Sequence, residues 1–146
     1  MSSIDIREAQ PEDAAAITRL IRELAADDGI ASPIDEAYAR HYLSQSNYVV
    51  LLARLDGKAV GLLSYLLKAD LYHAGDTCYI SELVVTQGYR SQGIGSALMH
   101  AVLRKAEDLG CAEISVSSMQ DNSGAIKFYK RHGFEAEAVF LEKHFS

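Results

Sequence analysis

The run Gln87-Gly88-Tyr89-Arg90-Ser91-Gln92-Gly93-Ile94-Gly95-Ser96-Ala97-Leu98 has the composition of a phosphate-binding loop. It follows a strand-like stretch and leads directly into a helical one. A loop so placed aims several backbone N–H groups at one spot, and the helix N-terminus adds partial positive charge there. Gly93 and Gly95 carry no Cβ, so a phosphate can approach the backbone. Arg90 can add a charge-assisted hydrogen bond. Other phosphate loops fit less well. There is no GxxxxGK[ST], and Leu98 stands where the third glycine of GxGxxG belongs. A plain glycine-containing turn between strand and helix has the same spacing.

Two other features bear on chemistry. Glu82 interrupts the apolar run 80–85, where a carboxylate is costly unless it faces a wet pocket or has partners. Tyr129 follows Asn122 by two helical turns and shares its face. Lys127, Lys130 and Arg131 lie nearby, as cations on a solvated helix face or as contacts for a phosphate. The five histidines show no metal-ligand spacing. His41 and His73 are candidates for an acceptor pocket, as are Tyr38, Tyr72 and Tyr79, although packing also accounts for such aromatics.

These residues need a scaffold, and the chain of 146 residues is the size of one domain. Residues 3–9 alternate as a strand. Gln10-Pro11-Glu12-Asp13 opens a helix with proline and acids in its first turn. Ile17, Leu20, Ile21 and Leu24 form its apolar stripe, and Asp27-Asp28-Gly29 ends it. Ser32-Pro33-Ile34-Asp35 starts a second helix carrying Tyr38, His41 and Tyr42. The runs 48–55 and 58–67 flank Asp56-Gly57, a strong hairpin signal. Residues 69–76 are polar and turn-like, and 77–85 make another strand. Ile94, Leu98, Ala101, Val102, Ala106 and Leu109 mark one face of a long helix closed by Gly110. A short strand at Ile114 and Val116, a helix over 122–132 stopped by Gly133, and a final pair of strands within 134–145 complete the order β-α-α-β-β-β-α-β-α-β-β.

Bulk properties exclude several classes. The net charge of −6 argues against a nucleic-acid partner. The longest apolar run, 59–67, is too short to cross a bilayer. Residues 1–8 lack the regions of a signal peptide, which makes a cytoplasmic location the expectation. Cys78 and Cys111 form no cluster and are expected as reduced thiols, with no structural metal.

The segment Arg90-Ser91-Gln92-Gly93-Ile94-Gly95 resembles the (Q/R)xxGx(G/A) signature of the GNAT superfamily of N-acetyltransferases. Tyr79-Ile80-Ser81-Glu82-Leu83-Val84-Val85 is similar to the strand preceding it in that family. Asn122-Ser123-Gly124-Ala125-Ile126-Lys127-Phe128-Tyr129, followed by Gly133-Phe134, resembles the family's second motif, NxxAxxxY…GF. The order and spacing agree over essentially the whole chain.

The resemblance implies a single α/β (α+β) domain over 1–146, with a mixed, centrally splayed β-sheet flanked by helices. Acetyl-CoA would lie in the splay as co-substrate. Its pyrophosphate would rest on the main chain of Arg90, Ser91, Gln92, Gly93, Ile94, Gly95 and Ser96. Its pantetheine arm would pair with Leu83, Val84 and Val85 and be held by Asn122. An N–H near Val84 or Val85 would stabilise the developing oxyanion. Amines of pKa roughly 10.4 are almost wholly protonated at neutral pH, so transfer benefits from a base. The resemblance implies Glu82 as that base, through water, and Tyr129 as the acid that protonates the departing sulfur. Glu82 as a substrate anchor is the other role considered.

In the family, acceptor choice resides between the first two helices and before the central strand. Here those are residues 27–42 and 69–76, which carry Asp27, Asp28, Asp35, Glu36, Asp70, Asp76 and several tyrosines. A small cationic amine is therefore expected as acceptor. The alternatives are a protein N-terminus or lysine, and a non-catalytic acyl-CoA sensor. A homodimer is expected from family habit alone; no membrane or nucleic-acid partner is expected.

Overall fold

The Asp56-Gly57 pair sets the first hairpin. Both residues take left-handed φ values, 52° and 80°, as a type I′ turn requires. The turn joins β2 (Tyr48–Leu55) to β3 (Lys58–Asp70) in the computed structural model, which describes residues 3–145. With β1 (Asp5–Glu8), β4 (Gly75–Val85) and β5 (Ile114–Val116) these strands form one sheet in the order β1-β2-β3-β4-β5. The first three pairings are antiparallel and β4–β5 is parallel.

Alternation along the strands separates two apolar faces. One carries Leu51, Ala53, Leu63, Tyr65 and Ile80 and is covered by α3 (Ile94–Asp108) through Ile94, Leu98, Met99 and Val102. The other carries Val50, Leu52, Leu62 and Val84. It is covered by α1 (Ala14–Asp27), entered through a 3₁₀ turn at Pro11–Asp13, and by α2 (Glu36–Leu43). Gly61 on β3 lets α3 approach: a Cβ there would stand 2.9 Å from Ile94 Cγ2 and 3.1 Å from Leu98 Cδ1. The last helix, α4 (Ser123–Arg131), adds Phe128 and Tyr129 to the α3 face.

Two features of β4 shape the site. Its ladder to β5 covers only Cys78, Tyr79 and Ile80, so the strands part beyond Ile80. Its ladder to β3 shifts register between Ser64 and Tyr65, leaving Ser81 as an extra residue. Such bulges redirect neighbouring side chains.

Several expectations need correction. No strand forms within the described residues 134–145, where a final pair was expected. Glu135 and Glu137 alternate with Ala136 and Ala138, and Glu142 and Lys143 are adjacent. The alternate positions Phe134, Ala136, Ala138 and Phe140 offer mostly small side chains, and Val139, Phe140 and Leu141 are all exposed, so little apolar area is buried. The polar stretch 69–76 is a turn only over 71–74: Ala69 pairs with Asp76 and Asp70 with Gly75, because main-chain bonds need no apolar side chain. Asn122 is the N-cap of α4, not an interior residue.

Candidate active site

The loop between β4 and α3 owes its tight course to three left-handed residues, Gly88 at φ 94°, Ser91 at 64° and Gly93 at 85°. Gly93 is the N-cap of α3, and the first intrahelical bond is Ala97 N–H to Gly93 O at 3.0 Å. The N–H groups of Ile94, Gly95 and Ser96 precede any intrahelical acceptor and open onto a cleft of about 660 Å³. A Cβ on Gly93 would meet no atom within 4 Å and would project into open space. Both features suit a bound phosphate.

The loop is tied to α1. Glu23 accepts from the Thr86 hydroxyl at 2.5 Å and the Gln87 N–H at 2.8 Å. The Arg90 guanidinium donates to Val85 O at 2.7 Å, Asp27 at 2.8 Å and Glu23 at 3.3 Å. The sequence suggested that guanidinium as a phosphate ligand; here the fold engages it. Gln92 Nε2 donates to Gly88 O at 3.2 Å.

The cleft continues along the open half of β4. Thr86 N–H donates to Val60 O, which fixes the ladder's phase. Val84 therefore turns its main chain toward β3. Leu83 and Val85 turn theirs toward the gap where β5 has departed. Of the two amides expected near a reacting carbonyl, only that of Val85 faces the opening.

Tyr129 lines the cleft from the α3 face, packed against Phe128 and Phe134 at ring separations of 5.6 and 6.0 Å. Burial, then the nearby Tyr79, raises its pKa above the ordinary value and keeps the phenol protonated. Glu82 shares the opposite face with Val84. Its carboxylate accepts from the Ser64 hydroxyl, and its N–H donates to Ser64 Oγ at 3.0 Å. Tyr42 of α2 stands in the same cluster. Its pKa is pushed up to about 12 by burial and then by the Glu82 carboxylate. The two titratable groups thus approach the splay from opposite faces of one strand.

The fold gathers Leu83, Val84, Val85, Arg90, Ser91, Gly93, Ile94, Gly95, Ser96 and Tyr129 around the cleft. Gln92, Asn122 and Glu82 lie outside that lining. Asn122 Oδ1 accepts from Ala125 N–H at 3.1 Å as a helix cap. Tyr79 hydrogen-bonds Ser117 at 2.8 Å, and His73 pairs with Asp70 at the β3–β4 tip, where Tyr72 is 91% exposed. Arg131 lines the cleft beside Phe128, whereas Lys127 and Lys130 are exposed. Sequence reasoning missed Glu23, Tyr42 and Ser64. The one available signal was the paradox of Glu82 itself, whose apolar setting calls for a partner. Among the described residues no group of three His, Cys, Asp or Glu could hold a metal, and no helix is long and apolar enough to cross a membrane.

Residues 16–134 match the model of the Acetyltransferase (GNAT) family. The chain belongs to this family. The GNAT chain is 29% identical over 144 residues to a thialysine N-epsilon-acetyltransferase of Sus scrofa, covering 91% of this chain and 85% of that one. It is 29% identical over 135 residues to an aminoalkylphosphonate N-acetyltransferase of Salmonella typhimurium, covering 92% and 87% respectively. An aminoglycoside acetyltransferase from an uncultured soil metagenomic sample, solved with trehalose, superposes with a TM-score of 0.85. That pair shares 26% identity, with 98% of this chain and 95% of the other covered. The mixed sheet with its parted β4 and β5 is thus the GNAT sheet, and the chain is an N-acetyltransferase.

Proposed function

We propose that this enzyme transfers an acetyl group from acetyl-CoA to the primary amine of a small cationic molecule, by direct attack within a ternary complex. The observation that carries this reading is the continuity of the open edge at Leu83 and Val85 with the unbonded amides at the start of α3. One is suited to an amide-bearing arm and the other to a diphosphate. The relatives named for thialysine, aminoalkylphosphonate and aminoglycosides, all amines, support the acceptor class.

Bound acetyl-CoA supplies an activated thioester. Glu82, directly or through water, takes the proton that the ammonium must lose. The Val85 N–H is placed for the negative charge that gathers on the acetyl oxygen. As the C–N bond forms and the C–S bond breaks, Tyr129 gives its proton to the sulfur. It is re-protonated by the second proton that the nitrogen sheds, leaving an amide, free CoA thiol and one net proton on Glu82. The opposed faces of Glu82 and Tyr129 suit a displacement that passes between them. The Glu82 carboxylate, beside Tyr42 of α2, favours a cationic acceptor. A cytoplasmic homodimer completes the proposal.

The test is CoA release with a panel of polyamines, aminoglycosides, amino-acid derivatives and lysine peptides. Turnover with the small cations supports the reading. Turnover with peptides alone assigns a protein acceptor, and tight CoA binding without turnover a sensor. Light scattering decides the oligomeric state.

A further inference from the structure

The course of the phosphate loop is set partly from outside it. Glu23, on the third turn of α1, is 63 residues from Thr86 in sequence, yet its two oxygens hold the first two residues of the loop and reach Arg90. Its side chain is 24% exposed, and Thr86 is 8% exposed. Arg90 closes the arrangement by gripping Val85 O, so that strand end, loop and helix α1 form one hydrogen-bonded unit. Among the described residues, the hydrogen bond joining Asp27 to this unit is donated by Arg90.

The charge of Glu23 opposes its proximity to a polyanion. The Debye length at physiological salt is about 8 Å, so a carboxylate at the root of the loop is incompletely screened from a bound diphosphate. By charge alone, removing it strengthens CoA binding. By geometry, removing it frees Thr86, Gln87 and Arg90 and lets the loop amides diverge. The geometric effect is larger, because three donors lose a charged acceptor at once.

We infer that Glu23 is a positioning residue for cofactor binding, holding the loop amides convergent despite its own like charge. The inference rests on reading the cleft as the CoA site, and its test separates the two. Acetyl-CoA binding is measured by calorimetry for the wild type, Glu23→Ala, Glu23→Gln and Asp27→Asn. Acetyl transfer is measured with acetyl-CoA and with S-acetylpantetheine, which lacks the diphosphate. Glu23→Ala is expected to weaken acetyl-CoA binding roughly tenfold, the scale of one lost hydrogen bond to a charged group. Glu23→Gln, which keeps one acceptor, falls between it and the wild type. Asp27→Asn removes the same charge while sparing the Thr86 and Gln87 contacts, and binds about twofold tighter.

The loss in Glu23→Ala is confined to acetyl-CoA, with kcat/KM for S-acetylpantetheine unchanged. Unaltered or tighter acetyl-CoA binding by both Glu23 variants overturns the inference, as does an equal loss with both donors. A wild type that shows no preference for acetyl-CoA over S-acetylpantetheine overturns instead the reading of the cleft. Should Glu23→Ala not fold, Glu23→Gln, of nearly the same volume, carries the comparison.

Discussion

Ser64 and Glu82 face one another across the β3–β4 ladder at its register shift, the Ser64 hydroxyl donating to the Glu82 carboxylate while accepting the Glu82 N–H at 3.0 Å. Ser64 is 2% exposed, so the pair is anchored in the sheet rather than in solvent. The Glu82 carboxylate, proposed as the base, is thereby held in one orientation. Ser64→Ala should lower kcat/KM for the amine by about tenfold, the scale of a hydrogen bond to a charged group. The KM for acetyl-CoA should stay put. Steady-state kinetics with each substrate varied in turn reads this directly, and an equal rise in both KM values would point to general damage.

Tyr129→Phe removes only the hydroxyl. A positioned proton donor contributes about 100-fold or more, so kcat should fall by that order while acetyl-CoA affinity holds. Because burial raises the Tyr129 pKa, the phenol stays protonated beyond the ordinary tyrosine range. The alkaline limb of kcat in the wild type should therefore begin above about pH 10. An unchanged kcat in the variant would remove Tyr129 from the chemistry.

Gly93→Glu combines three injuries. The backbone at φ 85° disfavours any side chain, the new side chain starts from a residue that lines the cleft, and its carboxylate would oppose the diphosphate. CoA binding should weaken by more than about 100-fold, the order expected when a charged ligand meets a like charge set against it. Calorimetry measures it, and near-native affinity would place the cofactor elsewhere.

Gly61→Ala tests the packing that seats α3. With Ile94 at 2.9 Å and Leu98 at 3.1 Å from the added methyl, one layer must yield. Overpacking of this kind costs about 1–3 kcal/mol. The melting temperature should fall by roughly 3–10 °C for a domain of this size. A rise would show that the interface has slack.

Alkaline stability follows from buried neutral acids. Burial pushes Cys78 up from 9.0 to about 12 and Tyr65 from 10.0 to about 12. Both are protonated in the folded chain at pH values where the unfolded chain has released its proton. The stabilisation is complete below pH 9 and declines as the pH rises through 9 and 10 toward 12. Urea midpoints between pH 8 and 11 should drop, and Cys78→Ala should flatten the part of the curve that starts near pH 9.

The sequence alone determined the features that depend on local chemistry. Asp56-Gly57 required a tight hairpin turn, and the apolar stripes of α1 and α3 their helices, because these preferences act within a few residues. That the glycine loop and Tyr129 line one cleft agrees with the sequence motifs that singled them out. Tertiary structure decided everything that rests on a partner distant in the chain. It chose Ser64 and Tyr42 for Glu82, gave Arg90 to Glu23 and Asp27, and assigned Val84's main chain to β3 but Val85's to the opening. It also left 134–145 without strands. Each outcome turns on register or on contacts across dozens of residues, where a shift of one position exchanges the faces of a strand and no local signal records the choice.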